Sequence, residues 1–152
     1  MDRITVGADH AGFTLKEAAK SYLESRGFQV TDVGTSDTAS VDYPDFGRQV
    51  AEEVADGQFP KGILVCGSGV GMAIVANKLP GIRAVLSMDE ETARMSRLHN
   101  DTNILVLAGR RTDIDTARRI VDTWLSTAFE GGRHQQRLDK ITELEKRRCR
   151  QS

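Results

Sequence analysis

Much of what this chain lacks narrows what it can be. Two cysteines, Cys66 and Cys149, in 152 residues cannot build a disulfide framework, and their spacing fits no metal knuckle. Three prolines and the absence of any low-complexity block or internal repeat give no place to divide the chain, so one domain over residues 1–152 is expected, long enough for a sizeable core. No apolar run approaches the length of a membrane span. The N-terminus enters Ile4-Thr5-Val6 without the pattern of a secretory leader, and the expectation is a cytoplasmic protein. A formal net charge of −1 removes any global electrostatic case for nucleic acid or membrane surfaces. Histidine is scarce too. His10, His99 and His134 lie far apart, no H-x-H or H-E-x-x-H occurs, and no metal is expected. No G-x-x-x-x-G-K-[ST] phosphate loop is present. What remains, with 39% hydrophobic and 28% charged residues, is the composition of an ordinary soluble globular protein.

The stretch from Gly62 to Lys78 stands out. Gly62-Ile63-Leu64-Val65-Cys66 reads as a buried strand, Gly67-Ser68-Gly69-Val70-Gly71 as a glycine-rich loop, and the residues after it as a helix ending near Lys78-Leu79-Pro80-Gly81. Strand, loop and helix in that order let backbone N–H groups face an anion. Cys66 ends the strand beside those groups, where the helix start favours thiolate. A buried, inert cysteine is the other reading. The glycines run G-x-G-x-G, and Met72 occupies the place of the dinucleotide fingerprint's third glycine. Asp89 lies about twenty residues on, so a nucleotide site is weakened rather than excluded. Ser68 lacks the G-x-S-x-G spacing of a nucleophile elbow.

Taken in order, strands are predicted at Ile4–Ala8, Phe28–Val33, Gly62–Cys66, Ile82–Leu86 and Ile104–Ala108. Helices fall between them. The first runs from Phe13 to Ser25 with Leu15, Ala18, Ala19, Tyr22 and Leu23 inward. The second opens at Pro44 with Val50, Ala51, Val54 and Ala55 inward. Another starts at Asp89-Glu90-Glu91 and runs to about Leu98. The next carries Ile114, Ala117, Val121, Trp124, Leu125 and Ala128 on one stripe, up to the break at Glu130-Gly131-Gly132. Alternating strands and helices on short connections predict a doubly wound, Rossmann-like α/β domain, with a five-stranded parallel sheet, helices on both faces and a C-terminal helical tail. That tail, about 133–152, holds Leu138, Ile141 and Leu144 one turn apart among charges. Either a partner subunit covers this stripe, or the tail is solvated.

Ligands of such folds bind beyond the carboxyl ends of the strands. Asp9, His10, Tyr43, Cys66 with its glycines and Arg110 all fall at that edge. His99, Arg133, His134 and Arg137 belong to the opposite edge, about a helix length away. Either they are unrelated surface residues, or a neighbouring subunit brings its edge to this mouth. Arg133 and Arg137, at i and i+4, share a helical face suited to gripping phosphate.

With these residues in view, the chain resembles the type B ribose-5-phosphate isomerases, a family related to galactose-6-phosphate isomerase subunits. The matching stretches are Gly7–Gly12, Asp42-Tyr43-Pro44, Gly62–Lys78, His99–Asn103 and Glu130–Arg137, spread through almost the whole chain. The resemblance implies a homodimer, sometimes paired into a tetramer, with sites shared between subunits and neither metal nor cofactor. It implies interconversion of ribose 5-phosphate and ribulose 5-phosphate, a step of the pentose phosphate pathway. By the same resemblance Cys66 is the base that moves a proton between C2 and C1, His99 of the neighbouring subunit opens the sugar ring, and Asp9 assists through sugar hydroxyls. An enediolate forms in such a reaction, and the amides of Gly67, Ser68, Gly69, Val70 and Gly71 with the Ser68 hydroxyl suit it. The resemblance carries phosphate binding to His10, Arg133 and Arg137, with His134, Asn100 and Arg110 nearby and Tyr43 at the pocket. Two alternatives stand: a six-carbon sugar phosphate such as allose 6-phosphate or galactose 6-phosphate as substrate, and a non-catalytic nucleotide or sugar-phosphate binding module.

Overall fold

The computed structural model describes residues 2–151. In chain order its elements are β1 (Arg3–Ala8), α1 (Phe13–Ser25), β2 (Gln29–Asp32), α2 (Tyr43–Ala55), β3 (Gly62–Cys66), α3 (Val70–Ala76), β4 (Ala84–Leu86), α4 (Glu90–Asn100), β5 (Ile104–Ala108), α5 (Ile114–Ser126) and α6 (Arg133–Arg150). The strands form one sheet in the order β2-β1-β3-β5-β4, and every pairing is parallel. Every residue of β3 and β5 is buried, as expected of central parallel strands covered on both faces.

Side-chain alternation along those strands divides the core in two. Ile63, Val65, Leu105 and Leu107 face α1, α4 and α5, where Leu15, Leu23, Ala93, Ile120 and Trp124 complete a cluster. Leu64, Cys66, Ile104 and Val106 face α2 and α3, and pack with Val50, Val54, Met72 and Ala76. Cys66 therefore leaves its strand on the α2–α3 side.

Element ends follow local chemistry. Asp89 caps α4 by accepting the Thr92 amide at 2.7 Å, and Asp113 caps α5 by accepting that of Thr116 at 2.8 Å, which satisfies otherwise orphaned helix donors. The Asn77 side chain takes both backbone groups of Ala84, donating to its carbonyl at 3.0 Å and accepting its amide at 2.8 Å. That contact stops α3 at Ala76, short of the Lys78 limit expected from sequence. β2 and β4 are likewise shorter than predicted, although Ile82 stays in the core. α4 runs on past Leu98, which puts His99 and Asn100 in its last turn. Thr127 leaves α5 in extended conformation, so Ala128 lies outside the helix and is exposed, as is Ala55 at the end of α2. Both were expected to face inward. α1 buries Lys16 in a position that an apolar stripe does not anticipate.

The chain steps from β1 outward to β2, then returns past β1 to β3 on its other side. The crevice at this reversal, outside the carboxyl ends of β1 and β3, is where open α/β sheets take their ligands. Here it is tightly built. A Cβ on Gly12 would lie 2.4 Å from the Val65 carbonyl oxygen, and one on Gly109 would lie 2.7 Å from that of Ala11. Gly12→Ala is expected to destabilise the fold by at least about 1–3 kcal/mol, the ordinary cost of overpacking. A fall in the urea midpoint at unchanged slope would register it.

Candidate functional site

A cavity of about 470 Å³ opens at this crevice, lined by Asp9, His10, Ala11, Tyr43, Cys66, Gly67, Ser68, Gly71, Arg110 and Arg111. Three strand ends are laced together beneath it. The Asp9 amide donates to Val65 O at 3.3 Å, that of Gly109 to Cys66 O at 2.8 Å and that of Arg110 to Gly67 O at 3.0 Å. Main-chain contacts thus fix the distances between residues from three separate loops.

Each loop supplies different chemistry. One Asp9 carboxylate oxygen accepts the Gly12 amide at 3.0 Å, leaving the other available. His10 accepts the Val41 amide at Nδ1, 3.2 Å away. Cys66 is a free, buried thiol. The Ser68 hydroxyl oxygen accepts the Val70 amide at 3.3 Å, so its own proton is left to donate elsewhere. Gly69 has φ = 78°, a conformation glycine adopts without steric cost, and it turns the chain into α3. A Cβ on Gly71 would fall 2.6 Å from Tyr43 Cζ, so the tyrosine ring lies against that glycine and closes the loop's side of the cavity. The Arg110 side chain lies over Gly67, where a Cβ would meet its Nη1 at 3.4 Å.

Of the residues expected at this edge, Asp9, His10, Tyr43, Cys66, Gly67, Ser68, Gly71 and Arg110 line the cavity. Gly69 and Val70 do not: Val70 is exposed and its amide is committed to Ser68. Three of the five loop residues, Gly67, Ser68 and Gly71, thus lie on the cavity wall. Ala11 and Arg111 line the cavity without having been anticipated. The doubled Arg110-Arg111 after a buried strand was the available signal for Arg111.

His99, Asn100, Arg133, His134 and Arg137 do not line this cavity; they gather at the opposite edge. Arg97 anchors the end of α4, donating from Nη1 to Asp101 Oδ1 at 2.8 Å and Thr102 O at 2.6 Å, and from Nε to Thr127 O at 3.2 Å. The Glu130 amide then reaches Leu98 O at 3.0 Å, which brings the start of α6 onto the end of α4. The rings of His99 and His134 stack with centroids 4.2 Å apart and planes 16° from parallel. A carboxylate oxygen of Glu130 lies 3.9 Å from His99 Nε2. Arg133 and Arg137 are exposed.

These two histidines and Glu130 offer ligand atoms within 4.8 Å of one another, a donor set that metals use. Stacked rings, however, hold their in-plane lone pairs in parallel planes rather than aiming them at one point. The group is arranged as an imidazole pair with an acidic neighbour. His134 is 4% exposed, and its Nε2 has no hydrogen-bond partner among the described residues. Burial, then the charges of His99, Arg133 and Arg137, hold its pKa below the ordinary value against the opposing pull of Glu130.

A doubly wound parallel domain with a glycine-loop cavity at its switch point defines a broad class of ligand-handling α/β proteins. Within that class, the sequence pattern of the Ribose/Galactose Isomerase family matches residues 4–141. This chain belongs to that family. Ribose-5-phosphate isomerase B of Escherichia coli is 48% identical over 148 residues, 97% of this chain and 99% of that protein. The structure of Clostridium thermocellum ribose-5-phosphate isomerase B superposes with a TM-score of 0.94 at 51% identity, covering 95% of this chain and 98% of the other. Ribose-5-phosphate isomerase B from Mycoplasma genitalium, solved with bound ribulose-5-phosphate, gives 0.91 at 42% identity over 95% and 96% of the two chains.

The histidine stack carries a pH signature. With its folded pKa below 6.5, His134 binds its proton more weakly in the native state than in the unfolded chain. Its neutral form costs nothing above that value. As pH falls from 6.5 through the depressed folded pKa, the unfolded chain takes the proton first and stability is lost. Urea midpoints at about pH 7.5 and about pH 5 should therefore differ less in His134→Gln than in the wild type.

Proposed function

We propose that this chain is an aldose–ketose isomerase that interconverts ribose 5-phosphate and ribulose 5-phosphate. The observation that carries the reading is a buried cysteine in a cavity lined also by Asp9, Ser68 and Arg110, in a chain whose Mycoplasma genitalium relative was solved with ribulose-5-phosphate bound.

Cys66 removes the C2 proton of the open-chain aldose. The electrons shift onto the carbonyl oxygen at C1, giving an enediolate. Donors at Gly67 and Ser68, placed before the reaction begins, stabilise the charge as it develops on that oxygen, which is where such donors lower a barrier most. A proton then passes from the C2 hydroxyl to the oxygen on C1. Cys66 returns its proton to C1, and the C2 carbonyl completes the ketose. No net proton is gained or lost. Asp9, with one carboxylate oxygen held by Gly12, accepts from sugar hydroxyls and orients them. Tyr43 walls the sugar's flank. His10 and Arg110 draw in the phosphate, whose binding holds C1 and C2 over the thiol.

The enzyme works as a homodimer or a pair of dimers in this reading, with His99 of the neighbouring subunit opening the sugar ring and its Asn100, Arg133, His134 and Arg137 completing the phosphate end. Exposed apolar side chains support such a partner. Ile141 and Leu144 are 46% and 50% exposed on α6, and Val70 and Ile74 are 51% and 56% exposed on α3. Among the described residues no helix is long and apolar enough to cross a membrane. A free catalytic thiol fits the reducing cytoplasm, where we place the protein.

Purified protein should convert ribose 5-phosphate without added metal. Cys66→Ala should lower turnover about 10²–10⁴-fold, the range for losing a general base, while substrate still binds. Failure of the wild type on this sugar but turnover of allose 6-phosphate would move the assignment to the six-carbon alternative. Retained ligand affinity with no turnover of either would favour a binding module. Mixing Cys66→Ala with His99→Ala chains should restore part of the activity, since hybrid dimers hold one intact composite site. Hybrids shown to form without recovery would place each site within one subunit.

A further inference from the structure

We infer that the buried Lys16–Asp32 pair is a positioning device for the substrate cavity, holding the strap of residues 34–42 so that its far end fixes His10 as an Nε2–H donor and delivers Tyr43. The kinetic part of this inference rests on the isomerase reading; the part concerning the His10 tautomer does not.

Lys16 is only 1% exposed, and a buried ammonium persists only when paired and hydrogen-bonded. Its Nζ donates to Asp32 Oδ1 at 2.8 Å, to Asp32 Oδ2 at 2.7 Å and to the Thr35 carbonyl at 2.7 Å, which can use all three of its protons. A Glu17 carboxylate oxygen lies 3.1 Å away, and Lys20 reaches Asp32 at 3.3 Å. Asp32 Oδ1 also accepts the Gly34 amide at 2.8 Å. Burial by itself would raise the Asp32 pKa, but the hydrogen bonds from Lys16 and Gly34 and the charge of Lys16 bring it below the ordinary value. The pair thus gathers the start of the strap from two sides.

Two main-chain bonds tie that same point to the end of β1. The Ala8 amide donates to Gly34 O at 2.7 Å, and the Thr35 amide donates to Ala8 O at 2.7 Å. Thr35 is buried, whereas Ser36 to Ser40 are exposed and have little apolar surface with which to hold the strap. An Asp37 side chain accepting the Ala39 amide at 2.9 Å shapes the bend. The far end returns to the body where the Val41 amide meets His10 Nδ1 at 3.2 Å, two residues before Tyr43. A neutral histidine that accepts at Nδ1 carries its proton on Nε2. The nitrogen left for the cavity is then a donor, the form that meets a phosphate or sugar oxygen. An apolar residue at position 16 would orphan the Thr35 carbonyl and leave that end of the strap held only by its main-chain bonds to Ala8 and by the Gly34 amide on Asp32.

Lys16→Met keeps the length of the stem and removes the ammonium; Asp32→Asn is the milder variant, keeping an acceptor for Gly34, and it decides the question if the first does not fold. Long-range ¹H–¹⁵N NMR of the imidazoles should show His10 in the Nε2–H form in wild type and a mixture of tautomers in the variants. KM for ribose 5-phosphate should rise about tenfold with kcat within about threefold, the pattern of lost ground-state positioning. In a His10→Ala background the same substitution should add less than it costs in the wild type, because the His10 contact is already gone and only the delivery of Tyr43 remains. An unchanged His10 spectrum, or a KM loss that adds in full to that of His10→Ala, would overturn the inference and leave the pair a stability element. The spectrum decides even if ribose 5-phosphate is not turned over.

Discussion

Close approach of main chains at the carboxyl edge is the constraint on which the rest of the molecule depends. The loops after β1, β3 and β5 meet backbone to backbone, with room for no Cβ at Gly12 or Gly109. Their amides and carbonyls are shared between Asp9 and Val65, Gly109 and Cys66, and Arg110 and Gly67. Hydrogen bonds of this kind define position far better than side-chain packing does, because each satisfies a buried polar group that is expensive to leave unpaired. A carboxylate, a thiol and a guanidinium from distant parts of the sequence are therefore held on one rigid rim.

Around that rim, buried charge adds a second constraint to the apolar packing. Lys16 and Arg97 are both buried cations, and each spends its donors on a carboxylate and on backbone carbonyls. One sits beneath the strap that reaches His10; the other locks the end of α4 that carries His99. Breaking such a pair on one side leaves an uncompensated charge in a poor solvent, so each also acts as a register pin for the loop it touches. The two edges of the sheet are stiffened by the same chemistry. A parallel sheet separates them by construction, since every helix carries the chain back to the edge from which its strand began.

Much of this was readable in order along the chain. β-branched runs marked the strands, glycine and proline marked the breaks, and the alternation of periods two and 3.6 implied a parallel, doubly wound sheet. Those signals are local, which is why Asp9, His10, Tyr43, Cys66 and Arg110 could be assigned to one edge from topology alone. Val70 lies off the cavity wall for a local reason too: its amide turns back onto Ser68, a bond that spacing does not reveal. Ala128 was placed inward because periodicity was carried past the end of α5, whereas Ala55 is the last residue of α2 and stands in solvent where that helix runs out.

What the amino-acid sequence determined by itself was the class of fold, the division of reactive groups between two edges and the glycine loop beside a cysteine. Each follows from short-range patterns: apolar period, turn chemistry and the direction of a parallel crossover. Only the tertiary structure decided that Lys16 is buried on Asp32, that His99 stacks on His134, and that the Val41 amide selects the nitrogen on which His10 carries its proton. These are contacts between residues 16, 35 and 31 positions apart. They exist because packing forces buried polar groups to find partners, and no local pattern says which partner will be within reach.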